Sequence, residues 1–233
     1  MKIAVMQPYI FPYIGYFQLI HAADTFVFYD DVSFIKQGWV NRNRILVHGD
    51  ASYFTIPVSN ASSNSLICET EVKLPDVKLK KLLRTIEQSY SKAPFYTPVM
   101  QLVQSVLNAG EVYVSQLAIA SVKCVCEYLG IKRRFLVSSQ VYDNSSLDRA
   151  ARLMDICSQE EASYYINAEG GMDLYDRGDF SQAGITLTFL KSVVRPYDQN
   201  CFGFVPHLSI IDVLMFNSPQ SVLNMISNDY EEV

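Results

Sequence analysis

The first 31 residues constrain the fold more than any other stretch, because strand-like and helix-like patterns alternate there. Residues 2–6 form a short apolar run that is typical of a buried strand. After a loop with two prolines, apolar residues recur at helical spacing from 14 to 23, and the β-branched and aromatic run 25–29 indicates a second strand. The order strand, loop, helix, strand predicts a βαβ unit with parallel strands and a right-handed crossover.

A βαβ unit brings the ends of its two strands to the same edge of the sheet. The loop after the first strand is rich in tyrosine and phenylalanine, and the second strand ends at Asp30 and Asp31. Because open α/β sheets bind ligands at the carboxyl ends of their strands, we expect the aromatic loop and the two aspartates to face one crevice.

The remaining chain predicts more strands and helices in alternation, with a helical stretch in the middle. A hairpin is expected at 45–47 and 53–58 around the turn 48–50, followed by a polar loop at 60–65. Helical periodicity occurs within 75–130, at 78–91, 98–108 and 111–128. Further strands are predicted at 134–138, 164–167 and 185–191, and further helices at 146–158 (capped by Ser145 or Ser146), 208–216 (capped near Pro206 and His207) and 218–226.

These elements predict a single α/β domain over residues 1–233, with a Rossmann-like, mostly parallel sheet. The segment 75–130 is then a helical insertion or a cap over that sheet.

The composition excludes several classes of protein. The chain has 233 residues, 49% of them hydrophobic and 18% charged, which suits a globular protein with a large core. Its net charge of -5 argues against nucleic-acid binding. Five scattered cysteines without CxxC spacing indicate a reduced, cytoplasmic protein, and no apolar stretch reaches the ~20 residues that a membrane-inserted helix needs.

The aromatic loop supplies the first group of candidate substrate-binding residues. Tyrosine rings present an apolar face and a hydroxyl, so a dense group of them suits a stacking pocket. The alternative is that the rings are hydrophobic packing beneath a proline-rich loop. The candidates in this loop are Gln7, Tyr9, Phe11, Tyr13, Gly15 and Tyr16.

The next stretch, residues 30–44, holds two carboxylates, the single tryptophan and three cations. Arginine can bind phosphate through two N–H groups, and tryptophan can stack on a base or a sugar. We predict catalytic roles for Asp30 and Asp31, and substrate-binding roles for Lys36, Trp39, Asn41, Arg42, Asn43 and Arg44. The alternative is a surface hairpin with alternating polar residues.

Two later features complete the set of candidates. Gly170 and Gly171 follow a predicted strand, where glycines allow a backbone to approach a phosphate, although an ordinary turn is the alternative. His207 is a candidate general base, because the pKa of histidine lies near neutrality. Asp212 falls on the apolar face of its helix, which favours pairing within the core over catalysis. His21 and His48 have no second ligand at metal spacing, so no metal site is predicted.

Long motifs of this chain resemble a known family. The opening MQPYIFPYIGYFQLIHAADTFVFYDDVSFIKQGWVNRNRI closely resembles that of the WbqC-like family of bacterial proteins. The later motifs Tyr165-Ile-Asn-Ala-Glu169-Gly170-Gly171, Leu174-Tyr175, Phe180, Ala183-Gly184-Ile185 and Leu208-Ser209-Ile-Ile-Asp212-Val-Leu resemble its C-terminal pattern. Genes of this family tend to belong to O-antigen and other surface-polysaccharide clusters. The resemblance therefore implies work on a nucleotide-linked sugar, such as acyl or aminoacyl transfer to an amino sugar.

Two alternatives stay open. Tyr13-Ile14-Gly15-Tyr16 stands where the nucleotidyltransferase superfamily, which includes pantothenate synthetases, has its HxGH signature, although both histidines are absent. That likeness implies ATP-dependent amide formation, so the co-substrate is either an acyl donor or ATP. The other alternative is a non-catalytic binding protein. The expected partner is a small nucleotide sugar, and oligomerisation is left open.

Overall fold

A six-stranded sheet forms the centre of the computed structural model, which describes residues 1–59, 62 and 65–233. Its strands are β1 (Lys2–Met6), β2 (Thr25–Phe28), β5 (Arg134–Leu136), β6 (Tyr164–Ala168), β7 (Thr186–Ser192) and β8 (Tyr230–Glu232). They lie in the order β5-β2-β1-β6-β7-β8, and all pair in parallel except β8, which runs antiparallel to β7. The predicted Rossmann-like, mostly parallel α/β sheet is confirmed.

The chain fills the sheet outward from β1 in two directions. The first crossover leads from β1 to β2, whereas β6 lies on the opposite side of β1. The strand order therefore reverses between β1 and β6, and β5, the outer strand beyond β2, has only three residues. At such a reversal the loops that follow the strands diverge and leave a crevice at the carboxyl edge.

Helices cover both faces of the sheet. They are α1 (Ile14–Ala22), α2 (Asp76–Tyr90), α3 (Tyr96–Leu107), α4 (Val114–Tyr128), α5 (Arg149–Gln159), α6 (Arg177–Gln182), α7 (Ile210–Phe216) and α8 (Pro219–Asn228). One face of the sheet buries Ala4 and Phe26 in an apolar cluster with α1, α4, α7 and α8. The other face buries Val5 and Val27 against α5 and α6. Successive residues of a strand point to opposite faces of the sheet. Because both faces are covered by helices, the successive residues of these short strands are apolar.

The segment 75–130 shares one apolar cluster with the sheet. Ile86 of α2, Val103 of α3 and Val122 of α4 belong to the cluster that contains Phe26 of β2. These helices are therefore packed onto the same core as the central strands. None of the described helices is long and apolar enough to cross a membrane.

Several element boundaries differ from those predicted. The hairpin strands are β3 (Arg42–Val47) and β4 (Asp50–Thr55), and the two residues that join them, His48 and Gly49, have positive φ. Strand β4 ends two residues before a proline, which has no N–H group to donate to the neighbouring strand. The predicted cap of α5 is wrong, because the Asp148 carboxylate accepts the bond from Ala151 N at 2.8 Å. Ser209, just beyond the predicted position, caps α7. The polar loop expected at 60–65 lies largely outside the described residues.

Candidate functional site

Asp30 is fixed at the carboxyl edge of the sheet by the loop that follows the neighbouring strand. Parallel strands β2 and β5 end side by side, so the residues after them meet. Asp30 Oδ1 accepts hydrogen bonds from Ser138 Oγ at 2.8 Å and from Ser139 N at 3.1 Å. The Asp30 backbone N–H donates in turn to Ser139 Oγ at 3.2 Å. One carboxylate oxygen is thus held, while Oδ2 receives no hydrogen bond from another described residue.

Asp31 has different surroundings from its neighbour, although it is also buried. Arg152 of α5 donates to both of its carboxylate oxygens, at 2.8 and 2.7 Å, and the Ser139 hydroxyl donates to Oδ1 as well. Arg152 is itself held by Asn144 Oδ1 at 3.1 Å. Asp31 is therefore the anionic half of a buried ion pair and does not line the cleft described next.

A cleft of about 550 Å³ opens beside Asp30. One wall is a face of α4, on which Gln116, Ile119 and Lys123 recur at three- and four-residue spacing. Ser115 and Ala120 of α4 also line it. The other lining residues come from strand ends, loops and 3₁₀ turns, and they are Asp30, Cys68, Glu111, Tyr113, Val137, Ser138 and Gln140. Its volume lies within the range of about 300–1,000 Å³ that is usual for small-molecule sites.

The protonation of two groups in this cleft departs from the ordinary. Burial raises the pKa of Asp30, and the charge of Asp31 raises it further, whereas the bonds from Ser138 and Ser139 oppose the shift. Burial also raises the pKa of Cys68 to about 11, aided by the nearby charge of Asp30. Cys68 is therefore a neutral thiol at physiological pH and a poor nucleophile, so of these two groups Asp30 is the one suited to proton transfer.

Most rings of the aromatic loop pack in the interior. Phe11 and Tyr16 are each only 1% exposed, and the Tyr16 hydroxyl donates to Gln7 O at 2.9 Å. Tyr9 packs against Tyr16 with ring centroids 5.6 Å apart, and burial raises its pKa to about 12. These contacts fit the alternative of hydrophobic packing for Tyr9, Phe11 and Tyr16.

The two asparagines of the hairpin hold backbone. Asn43 Nδ2 donates to Ile10 O at 3.2 Å and to Phe11 O at 2.9 Å, and Asn41 Nδ2 donates to Ile56 O at 2.8 Å. Both side chains are buried. Asn43 therefore holds the aromatic loop, and Asn41 holds the segment after β4, so both side chains have structural partners.

One face of the hairpin and of the loop before it, which we call the hairpin face, carries two exposed rings, Trp39 and Tyr53, and two half-buried cations, Arg42 and Arg44. The Arg42 guanidinium lies 4.4 Å from the Tyr53 ring, and that of Arg44 lies 5.9 Å from the Trp39 ring. Trp39 and Tyr53 are 37% and 53% exposed, with centroids 6.1 Å apart. The Arg42 side chain also donates to the carbonyls of Gln37 and Gly38. Lys36 is exposed nearby in sequence, but none of these residues lines the cleft of Asp30.

Tyr13 and His207 meet at another place, a cavity of about 20 Å³ that also touches Gln18. The His207 carbonyl accepts from Arg44 Nη2 at 2.9 Å. Burial and the charge of Glu169 raise the pKa of Tyr13. Its ring lies where a side chain on Gly15 would stand, so glycine at this position leaves room for the ring. A cavity of this volume has room for about one water molecule and is therefore too small for a substrate.

Gly170 and Gly171 lie in a 3₁₀ turn, Glu169–Leu174, directly after β6. Gly170 is exposed, whereas a Cβ on the buried Gly171 would lie 2.5 Å from the Asn167 amide. The turn is at the predicted edge, next to the reversal of strand order between β1 and β6. The close contact with Asn167 also supplies a structural reason for Gly171.

Sequence reasoning missed the residues that surround the two aspartates. Ser138 ends the predicted strand 134–138 and Ser139 follows it at the same edge, so their position was a signal for this site, whereas nothing local marks Arg152 as the partner of Asp31. The core role expected for Asp212 fits its contacts, since it accepts from Tyr90, Tyr197 and Gln199 at 2.8, 2.6 and 2.7 Å. Among the described residues, no group of three or more metal-ligating side chains comes together.

The fold and the edge cleft define an α/β protein with Rossmann-like strand order and a candidate small-molecule site beyond the strand ends. The chain belongs to the WbqC-like protein family, whose model matches residues 7–224. It is 31% identical over 219 residues to "Uncharacterized protein Rv1507c" of Mycobacterium tuberculosis, a match that covers 93% of each chain. No solved structure matches the chain significantly. The roles assigned to individual site residues stay predictions.

Proposed function

We propose that this protein transfers an acyl or aminoacyl group to the amine of a nucleotide-linked amino sugar, with Asp30 as the general base. The observation that carries the proposal is the buried Asp30 carboxylate in a polar cleft at the carboxyl edge, with only Oδ1 held by Ser138 and Ser139. The likeness of the chain to a family associated with surface-polysaccharide genes supports this substrate class.

The chemistry needs a proton acceptor at this position. An amine must be neutral to attack an acyl carbon, and it must lose a proton as the C–N bond forms and the bond from the acyl carbon to the donor's leaving group breaks. Asp30 would take that proton and return it to the leaving group or to water. Burial raises the pKa of Asp30, which makes its carboxylate a stronger base than an exposed one.

The hairpin face would bind the nucleotide end of the substrate. Bases stack on exposed aromatic rings, and guanidinium groups add attraction for the diphosphate. Trp39 and Tyr53 offer such rings. The guanidinium of Arg42 packs against the Tyr53 ring, and that of Arg44 packs against the Trp39 ring. Because the Arg42 guanidinium is fixed by backbone carbonyls, this surface is preorganised and loses little conformational entropy on binding.

Calorimetric titration with a panel of nucleoside diphosphates and nucleotide amino sugars tests the binding half of the proposal. We expect one nucleotide to bind the wild type and to bind Trp39→Ala about tenfold more weakly, since stacking is worth roughly 1–3 kcal/mol per base. Phe202→Ala is the matched control, because Phe202 is a fully exposed ring outside both sites. Absence of binding across the panel would favour a protein-binding role instead.

A transfer assay by mass spectrometry tests the catalytic half. The bound nucleotide amino sugar is incubated with acyl thioesters, or with amino acids and ATP, and the mass gained by the sugar is measured. Asp30→Asn should lower kcat by a factor of about 100 or more while leaving nucleotide affinity unchanged. Asp173→Asn, an exposed acid at the same edge, should leave both unchanged. Full turnover in Asp30→Asn would overturn the role of Asp30, and AMP formation would indicate an acyl-adenylate route.

A further inference from the structure

We propose that Arg152 and Ser139 are positioning residues for Asp30: Arg152 binds Asp31, Asp31 binds Ser139, and Ser139 contacts Asp30 directly. This inference rests on the proposed function only in taking Asp30 as the reactive carboxylate. Hydrogen bonds connect α5, on one face of the sheet, to Asp30, which opens into a cleft lined by α4.

The connection between the ion pair and Asp30 runs through one residue, Ser139, which uses both its hydroxyl and its backbone N–H. Arg152 Nη2 binds both oxygens of Asp31 at 2.8 and 2.7 Å. The Ser139 hydroxyl donates to Asp31 Oδ1 and accepts from Asp30 N at 3.2 Å, while Ser139 N donates to Asp30 Oδ1 at 3.1 Å. Ser139 thus contacts both aspartates, and its position fixes which carboxylate oxygen of Asp30 remains available to the cleft.

Arg152 is held firmly enough to serve as the anchor. Its Nε donates to Asn144 Oδ1 at 3.1 Å, and Asn144 Nδ2 donates to Asp155 Oδ2 at 2.7 Å, one turn further along α5. Its guanidinium lies 4.8 Å from the Tyr29 ring. The side chains of Arg152 and Asp31 are only 7% and 8% exposed, so solvent screens their interaction weakly.

The ion pair also sets the charge next to Asp30. The titratable and charged groups around Asp30 are Tyr29 and Asp31 after β2, Cys68 from its loop, Glu111, Tyr113 and Lys123 on the side of α4, and Arg152 from α5. Of these, Tyr29 and Asp31 adjoin Asp30 in sequence, and the negative charge of Asp31 favours protonation of Asp30. Arg152 offsets part of that charge, and therefore keeps Asp30 ionised at a lower pH than an unpaired Asp31 would allow.

Neutralising one partner of the ion pair or the other should move the midpoint of the Asp30 titration, the pH at which half of Asp30 is protonated, in opposite directions. Asp31→Asn leaves the positive charge of Arg152 and should lower the midpoint by about one pH unit. Arg152→Gln leaves the negative charge of Asp31 and should raise the midpoint by a similar amount. The double variant removes both charges and should return the midpoint close to that of the wild type. Asparagine and glutamine keep a hydrogen-bonding side chain at each position.

The measurement is a pH titration of the carboxyl carbons by NMR in protein labelled with ¹³C at aspartate, with the Asp30 signal assigned by its loss in Asp30→Asn. This readout needs no substrate, and circular dichroism verifies that each variant is folded. If one single variant does not fold, the other still predicts a direction. An unchanged midpoint in every folded single variant would overturn the proposal, because a purely structural ion pair changes stability alone.

Activity separates this inference from the proposed function. In Asp31→Asn we expect the acidic limb of the kcat profile to move with the Asp30 midpoint, while KM changes less than kcat. A shifted NMR midpoint together with full activity in Asp30→Asn would contradict the proposed function and leave the control of Asp30 by Arg152 supported. Loss of activity in Asp30→Asn, with no shift of the Asp30 midpoint in Asp31→Asn or Arg152→Gln, would support the proposed function and contradict the control of Asp30 by Arg152.

Discussion

Asp30 and Asp31 are adjacent residues with opposite electrostatic surroundings. Asp31 has a buried guanidinium on both oxygens, whereas Asp30 has only uncharged donors, a hydroxyl and an amide. A buried carboxylate without a cation is costly in its charged form, so burial raises the pKa of Asp30. The folded protein therefore binds a proton at Asp30 more tightly than the unfolded chain does.

This difference makes the contribution of Asp30 to stability depend on pH. Because the folded pKa is raised, that contribution is fully present below the unfolded pKa of about 3.9 and is lost as the pH rises through the folded pKa. Asn resembles the protonated acid, so Asp30→Asn should gain stability relative to the wild type as the pH rises from 4 to 7. Urea unfolding at several pH values measures this difference.

The exposed Asp173→Asn is the matched control for that series, since its side chain is not buried on folding. A stability difference between Asp30→Asn and the wild type that stays constant with pH, or that shrinks as the pH rises, would contradict the expected linkage.

Local sequence identified the two aspartates but could not distinguish them. Both follow the same strand, and a strand end gives no information on which side chain meets a partner from elsewhere. Arg152 lies 121 residues further along the chain, so its pairing with Asp31 depends on how α5 docks. The same limit applies to the aromatic loop, where no period of 2 or 3.6 indicates that Phe11 turns inward.

At the scale of elements, the aromatic loop owes its shape to the hairpin and to α7. Phe11 has a positive φ of 39°, which is unusual for a bulky residue. Its carbonyl accepts from Asn43 Nδ2 and from Ser209 Oγ, and its amide donates to Ser121 Oγ at 2.9 Å. Three elements therefore hold the loop in a conformation that it would not adopt alone.

Removing the asparagine contact should destabilise the protein. Asn43→Ala leaves the carbonyls of Ile10 and Phe11 and the amide of Arg44 without their bonds to this side chain, so we expect a loss of about 2–3 kcal/mol in the free energy of unfolding. Urea denaturation measures the loss. Asn224→Ala, on an exposed helical face, is the control. An equal effect in the two variants would mean that the contacts of Asn43 with the aromatic loop do not stabilise the fold.

The elements themselves were largely predictable, because their patterns are long and regular. The strands β1, β2 and β6 and the helices α2 to α4 fall close to their predicted positions. The short α6 and β8 were not predicted, since six and three residues carry too little periodicity. The start of α5 was misplaced because serine and aspartate are equally good caps, and tertiary packing decides between them.

At the scale of the whole molecule, the helices of segment 75–130 and the sheet share a core. Leu117 of α4 is 3% exposed and belongs to the apolar cluster that contains Phe26 and Ile166 of the sheet. Elements that bury one another's apolar surface tend to lose their structure together. The prediction of a single domain over residues 1–233 can be tested on this basis.

We expect one cooperative unfolding transition. The fluorescence of Trp39, in the loop before the hairpin, and the far-UV dichroism of the helices should give the same midpoint in urea. Leu117→Ala should shift both midpoints together and lower the free energy of unfolding by about 3 kcal/mol. Two separate transitions, with only the helical signal moved by Leu117→Ala, would instead show that segment 75–130 is an independent unit.

The shortness of β5 has a consequence beyond the cleft. As the outer strand of the sheet, it leaves its far side without a neighbouring strand among the described residues, and such margins can recruit further copies of a chain. Only three residues are available there, and one of them is Arg134, which is paired with Glu160. An edge this short and this charged offers little template for a further strand, so fibril growth should not begin at β5 even at high protein concentration.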